Sequence, residues 1–268
     1  EGAENDVISV LLVGHKRTAT GLQRTRRLFT TLNKTAVPVR KKDIIALDED
    51  DVMAITARRL VESNPKFADP RIAAIASPNI PSGNRTCLTT ISNLYDVLKT
   101  LFLFDSGKRS DRTLRFNRPP DAKLDEHYAS ATTYFDALGK TFPPIASVMT
   151  AKEPEKITPD FRGPHGGHVL FRPIGLELFT RVATELAASR RLPVVQAVQM
   201  LAKMPVILAQ PPYAGVLWDV GRSTINVSAK SLTLRLMRYL AGLDLDEADL
   251  LDDYKKTLGA AADSKTVS

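Results

Sequence analysis

Three stretches repeat apolar residues at helical spacing, and each is bounded by Pro, Gly or a polar turn, so a mostly helical body is what these residues can build. Leu88, Ile91, Leu94, Leu98, Leu101 and Phe102 share one face of a helix predicted over 88–104. Tyr128, Ala131, Phe135, Leu138 and Phe142 do the same over 124–142. A third helix starts at Pro173, buries Leu176, Phe179, Val182, Ala183 and Leu186, and closes near Arg190 and Arg191. Further helices are predicted over 193–204, 231–240 and 246–258. The stretch VILAQPPYAGVLWDVGRSTINV breaks that period, and Trp218 with the 219–223 turn predicts a short hairpin or an irregular wall. Residues 259–268 read as a frayed tail.

The first third is organised differently. Val7–Val13 is almost continuously apolar, as expected of a strand buried on both faces. Over 20–47 the order reads helix, polar turn, extended segment, helix. Leu22, Leu28, Phe29 and Leu32 recur at helical spacing, Asn33 suits a helix C-terminus, and Pro38 pushes Val37 into extended geometry. Asp48 is the predicted N-cap of the next helix, with Met53, Ala57, Leu60 and Val61 as its buried stripe. Pro65, Pro70, Pro78, Pro81 and Gly83 make 64–86 an irregular connection and the predicted domain boundary. The fold class is therefore α+β and predominantly helical, with domains at 1–64 and 65–258.

Charge singles out the same N-terminal region. Nine Lys or Arg residues and no acid lie between Val7 and Lys42, and the formal net charge of the chain is +7 with a pI near 9.5. A run of one sign raises the local potential and attracts polyanions such as a nucleic-acid backbone; the alternative is a solvated basic face. A second basic stretch, Lys108–Pro120, surrounds Phe116 with five cations, although one aromatic is little basis for single-strand stacking.

Other chemistry-bearing residues have plain structural readings beside the functional ones. Asp48, Asp50 and Asp51 can hold a metal, or can serve a helix start. His165 and His168 are three apart in a Gly-rich loop, which permits zinc ligation if further ligands converge; otherwise His168 orients a turn or packs beside Phe171, with the glycines allowing close backbone approach. GPHGGH also resembles a phosphate-cradling loop but lacks the Lys-Ser/Thr end of a P-loop. SPNIPSGNRT offers polar groups to phosphate or base edges, or is a surface loop. Tyr213 and Trp218 can stack on a base or anchor a core. The single cysteine, Cys87, excludes an internal disulfide and reads as a small buried side chain. No apolar run approaches the length of about 18 residues needed to span a membrane, so a cytoplasmic protein without a membrane partner is expected. No Ser/His/Asp or Cys/His set names a nucleophile, and no cofactor is expected.

VISVLLV followed by LQRTRRLFTTLNKTAVPVRKKDIIAL resembles the DGQHR-domain family, which includes the DndB-type regulators of DNA sulfur modification. Phe29, Leu32, Asn33, Lys34, Thr35 and Val39 fall on that family's Phe-x-x-(Ile/Leu)-Asn-(Arg/Lys)-Thr-x-x-x-Val pattern, and GGHVLFRPIG at 166–175 is similar to its C-terminal part. The likeness spans roughly residues 7–245. The Asp-Gly-Gln-His-Arg sequence itself is absent, so the expectation is a C-terminal fragment: an incomplete ParB-like α/β piece over 1–64 followed by a helical region. The resemblance implies a DNA-binding regulator or accessory component of a DNA modification system, with DNA and proteins of that system as partners. Lys16, Arg17, Arg24, Arg27, Asn33, Lys34, Thr35, Arg40, Lys41 and Lys42 are the expected nucleic-acid-binding residues. Two alternatives stand beside it: a nucleotide-hydrolysing or DNA-nicking enzyme whose catalytic motif lies upstream, and a helical module that docks onto a modification enzyme.

Overall fold

The computed structural model describes residues 41–74, 84–107, 111–243 and 247–259, together with Thr18, Gly21 and Ile80. The chain divides into two compact units, 1–40 and 41–268. In the first, the Gly21 amide donates to Thr18 Oγ1 at 3.2 Å. The predicted strand at 7–13, the helix over 20–33 and the turn after it lie outside the described residues.

The second unit is predominantly helical with two short strand pairs, in line with the α+β expectation. Helix α1 (Lys41–Leu47) and α2 (Val52–Ser63) precede strand β1 (Ile72–Ala73), which pairs in parallel with β2 (Thr89–Thr90), Ile72 opposite Thr89. Then come α3 (Ile91–Asp105), α4 (Asp111–Phe116), α5 (Asp121–Thr141), α6 (Pro143–Thr150) and α7 (Pro154–Phe161). After α8 (Pro173–Arg190) and α9 (Val194–Met200), a hairpin pairs β3 (Trp218–Asp219) antiparallel with β4 (Thr224–Ile225), and α10 (Lys230–Leu240) and α11 (Glu247–Leu258) follow. The boundary expected at 64/65 falls within this unit, where α2 packs on both α3 and α5.

Helices α3 and α8 form the centre, packed against each other, with α9 and α10 also lying on α8. Leu94, Leu98, Leu101 and Phe102 of α3 and Leu176, Phe179, Val182 and Ala183 of α8 are fully or almost fully buried, so the apolar faces read from spacing are the ones that meet. Tyr134 of α5 donates its hydroxyl to Thr180 Oγ1 of α8 at 2.8 Å, a satisfied polar pair inside this core. Helix α8 ends on Arg191 in left-handed backbone, φ 55°.

The helix after α1 is capped one turn later than expected. Asp48 Oδ1 accepts from the amides of Asp50 and Asp51, at 2.8 and 3.0 Å, and so closes the turn between the helices. The N-cap is Asp51, whose Oδ1 accepts from Met53 and Ala54 at 2.9 and 3.0 Å. Its other oxygen accepts the Tyr95 hydroxyl of α3 at 2.6 Å, and burial pushes the Asp51 carboxyl above its usual range. These acids therefore have structural work, and among the described residues no group of three or more His, Cys, Asp or Glu is placed to hold a metal. Helices α4, α6 and α7 fall where the sequence reads as loop, or beyond a helix expected to end at Phe142. Pro143 and Pro144 of α6 and Pro154 of α7 occupy the first turn, where a missing N–H costs nothing, while Pro159 lies inside α7.

Asp51→Ala removes a cap and strands a buried hydroxyl, so chemical denaturation should show a loss of about 3 kcal/mol, against about 1 kcal/mol for Asp48→Ala in its exposed turn. Equal losses would mean that the Tyr95 contact does not tie α2 to α3.

Candidate functional site

The segment from Phe161 to Pro173 contains two Phe-Arg dipeptides ten residues apart, and the fold brings them together. Phe161 and Phe171 pack with ring centroids 5.0 Å apart. Arg162 Nη1 donates to the Phe171 carbonyl at 2.7 Å, with longer contacts to the Cys87 and Leu88 carbonyls at 3.4 and 3.5 Å. Arg172 reaches back over the loop, donating through Nη2 to Gly166 and Gly163 at 2.7 and 3.2 Å, and its guanidinium lies 5.4 Å from the Trp218 ring.

Glycines make this geometry possible. Gly167 has φ +75°, and a Cβ there would sit 2.2 Å from the Phe161 carbonyl oxygen. That oxygen is fixed, because it accepts from the His168 amide at 2.9 Å. A Cβ on Gly175 would lie 2.1 Å from the Val169 carbonyl oxygen, so α8 begins in direct contact with the backbone before it. His168 caps the short 3₁₀ turn at Val169–Phe171, its Nδ1 accepting from Leu170 N at 3.2 Å, with its ring 5.5 Å from that of Phe171. Burial lowers its pKa to about 4, so at neutral pH the imidazole is uncharged and carries its proton on Nε2. His165 is exposed, while the ring nitrogen of His168 is already committed; the turn-orienting reading of His168 describes what is found.

The two arginines line a cleft of about 490 Å³ between α3, the start of α8 and the β3–β4 hairpin. Asn93, Asp96, Glu177, Trp218, Thr224 and Lys230 are among the other residues on its walls. Both acids are already paired: Asp96 with Lys41 at 2.6 Å, and Glu177 with Lys230 at 2.7 Å. Arg162 is only 3% exposed, makes no ion pair with an acid among the described residues, and its Nε has no hydrogen-bond partner. Burial, with Arg172 as a like charge nearby, lowers its pKa to about 10, so it stays cationic at neutral pH. Burial and the field of Arg85 likewise lower that of Arg172.

Of the residues expected to bind nucleic acid, Lys16, Arg17, Arg24, Arg27, Asn33, Lys34, Thr35 and Arg40 lie outside the described residues, as does the side chain of Lys42 in α1. Lys41 is described: its ammonium donates to Ser92 O at 2.9 Å and to Asp96, and lies 5.0 Å from the Tyr95 ring centroid. In the second basic stretch, Arg118 pairs with Glu49 and Asp121, and Arg115 lies 3.8 Å from Asp51. Phe116 is exposed, with the Arg115 guanidinium 5.4 Å from its ring centroid. In SPNIPSGNRT most residues lie outside the description, but Asn84 Oδ1 accepts from Thr86 as in an ordinary turn. Tyr213 is a core anchor, its hydroxyl donating to Pro205 O at 2.9 Å, whereas Trp218, though buried, forms part of the cleft wall. Cys87 is buried, and burial raises its thiol pKa. Sequence reasoning missed Arg162 and Arg172; the signal was the repeated Phe-Arg on either side of the glycines.

These features define a predominantly helical α+β protein whose cleft is floored by the buried Arg162 and the half-buried Arg172. A protein-family model described as DndB, DNA-sulfur modification-associated, matches residues 2–204, three quarters of the chain and inclusive of both arginines. The chain belongs to the DndB family and so to proteins associated with DNA sulfur modification. No curated protein and no solved structure matches it significantly.

Gly167→Ala should cost at least about 3 kcal/mol in urea unfolding, because a backbone clash adds to positive-φ strain. Gly107→Ala, with φ +65° and open space around its Cβ, should lose only about 1 kcal/mol. Equal losses would show that the loop yields around Gly167.

Proposed function

We propose that the chain is a DNA-binding regulatory or accessory component of a DNA sulfur-modification system, and that the acid-free run ending at Lys42 is its contact with the DNA backbone. Family membership supplies the system, and the observation that carries the DNA contact is the nine cations without an acid between Val7 and Lys42. Such a run gains from releasing condensed counterions when it meets a polyanion. Lys16, Arg17, Arg24, Arg27, Lys34 and Arg40 supply charge, and Asn33 and Thr35 stand beside them in the sequence as polar partners for the backbone. Lys41 contributes less than its neighbours, since Asp96 already neutralises it.

Duplex DNA titrations across a salt series test this. Affinity should fall steeply with salt, and Arg24→Gln/Arg27→Gln/Lys34→Gln should bind more weakly, with the log–log salt slope flattened by about one for each cation removed. Lys41 is left intact so that its bond to Asp96 does not confuse a loss of binding with a loss of fold. Absence of duplex binding at low salt, or an unchanged slope in the folded triple variant, would refute the proposal.

A further inference from the structure

We propose that the cleft over Arg162 and Arg172 is a binding site for a phosphate monoester of about mononucleotide size, with contacts from residues other than those assigned to DNA. The cleft volume of about 490 Å³ falls within the range of about 300–1,000 Å³ usual for small-molecule pockets. Its charge is unbalanced where it matters. Asp96 and Glu177 are neutralised by Lys41 and Lys230, while among the described residues the two arginines have only backbone carbonyls as acceptors.

A cation taken out of water without a counter-ion is penalised by desolvation, and carbonyl contacts offset only part of that. Among the described residues the buried Nε of Arg162 has no acceptor, so its hydrogen-bonding capacity is incompletely used. Arg172, on the same wall, also makes no ion pair with an acid among the described residues, and the field of Arg85 reaches it. Adjacent guanidiniums are suited to an oxyanion with several acceptor oxygens, and two uncompensated positive charges match a phosphate dianion better than a single carboxylate. The remaining walls explain why an ester fits better than the bare ion: Ile80, Pro173, Ile174 and Ile225 give the cleft an apolar side for the rest of the molecule.

Trp218 supplies a probe in the unaltered protein. It is the only tryptophan of the chain, it lines the cleft, and its ring lies 5.4 Å from the Arg172 guanidinium. The full chain is titrated at constant ionic strength with inorganic phosphate, with a deoxynucleoside 5′-monophosphate and with the same deoxynucleoside lacking phosphate, and Trp218 fluorescence is followed. The expected result is a saturable change with phosphate and with the monophosphate, the monophosphate about tenfold tighter, and none with the nucleoside. Arg172→Gln should weaken the monophosphate at least about tenfold, with Arg172→Lys in between because it keeps charge but loses the planar fork. The Arg24→Gln/Arg27→Gln/Lys34→Gln variant should bind the monophosphate as the parent does, so failure of the DNA contact and failure of this site are read separately. The proposal is overturned by no saturable response to either phosphate species, by a response to phosphate alone, by an equal response to the nucleoside, or by undiminished binding in Arg172→Gln. Should Arg172→Gln fail to fold, the wild-type comparison of monophosphate with nucleoside decides.

Discussion

The guanidinium of Arg162, a residue only 3% exposed, is held by carbonyl oxygens and organises the centre of the described unit. Arg162 stands at the end of α7 and contacts the carbonyls of Phe171, before α8, and of Cys87 and Leu88, before β2. The segment before β2 and both ends of the 162–171 loop are thereby held around one planar group, and that loop must be tight enough to permit it. The glycines supply that tightness: a Cβ at 167 or 175 would overlap a neighbouring carbonyl. Burying the charge carries a cost that its neutral acceptors offset only in part, and the cleft beside it is where the imbalance reaches the surface.

Other arginines do related work, which changes how the basic composition should be read. Arg58 donates to the Ile45 and Asp48 carbonyls at the end of α1, and Arg71 to those of Val148 and Ala151 at the end of α6. Helix C-termini leave carbonyls without intrahelical donors, and a guanidinium supplies several donors together with favourable charge. A share of the cations behind the pI near 9.5 is thus spent inside the fold. The acid-free run before Asp43 therefore says more about nucleic acid than the total charge does.

Much of the helical body was legible because apolar spacing reports which face is buried. Leu94, Leu98, Leu101 and Phe102, and Leu176, Phe179 and Val182, lie in the core as their periods imply, and the Trp218 hairpin pairs as expected. What spacing could not report was short or began with proline. Helix α4 has six residues with only Leu114 buried, and the prolines that open α6 and α7 look like breaks until a first turn is recognised around them. Asp48 and Asp51 are equally good caps by residue type; the choice falls to Asp51 because Tyr95, forty-four residues away, donates to it. The cleft arginines left only the repeated Phe-Arg as a trace in the sequence, since an Arg in a loop reads as solvated until the fold removes its water. The expected DNA-contact residues before Lys41 lie outside the described residues, so the family relationship and charge carry that part of the account.

The claim on which the rest depends is that Arg162 ties the segment before β2 to both ends of the 162–171 loop, so that removing its guanidinium strands buried carbonyls at a cost greater than the relief of its incompletely offset desolvation. Equilibrium unfolding of Arg162→Met, which keeps side-chain length and apolar packing while leaving the Phe171 carbonyl without its donor, measures that balance directly. The account predicts a loss of about 2 kcal/mol or more relative to the parent. A variant as stable as the parent, or more stable, would contradict it, because relief of the buried charge would then match or outweigh the loss of the donor to the Phe171 carbonyl.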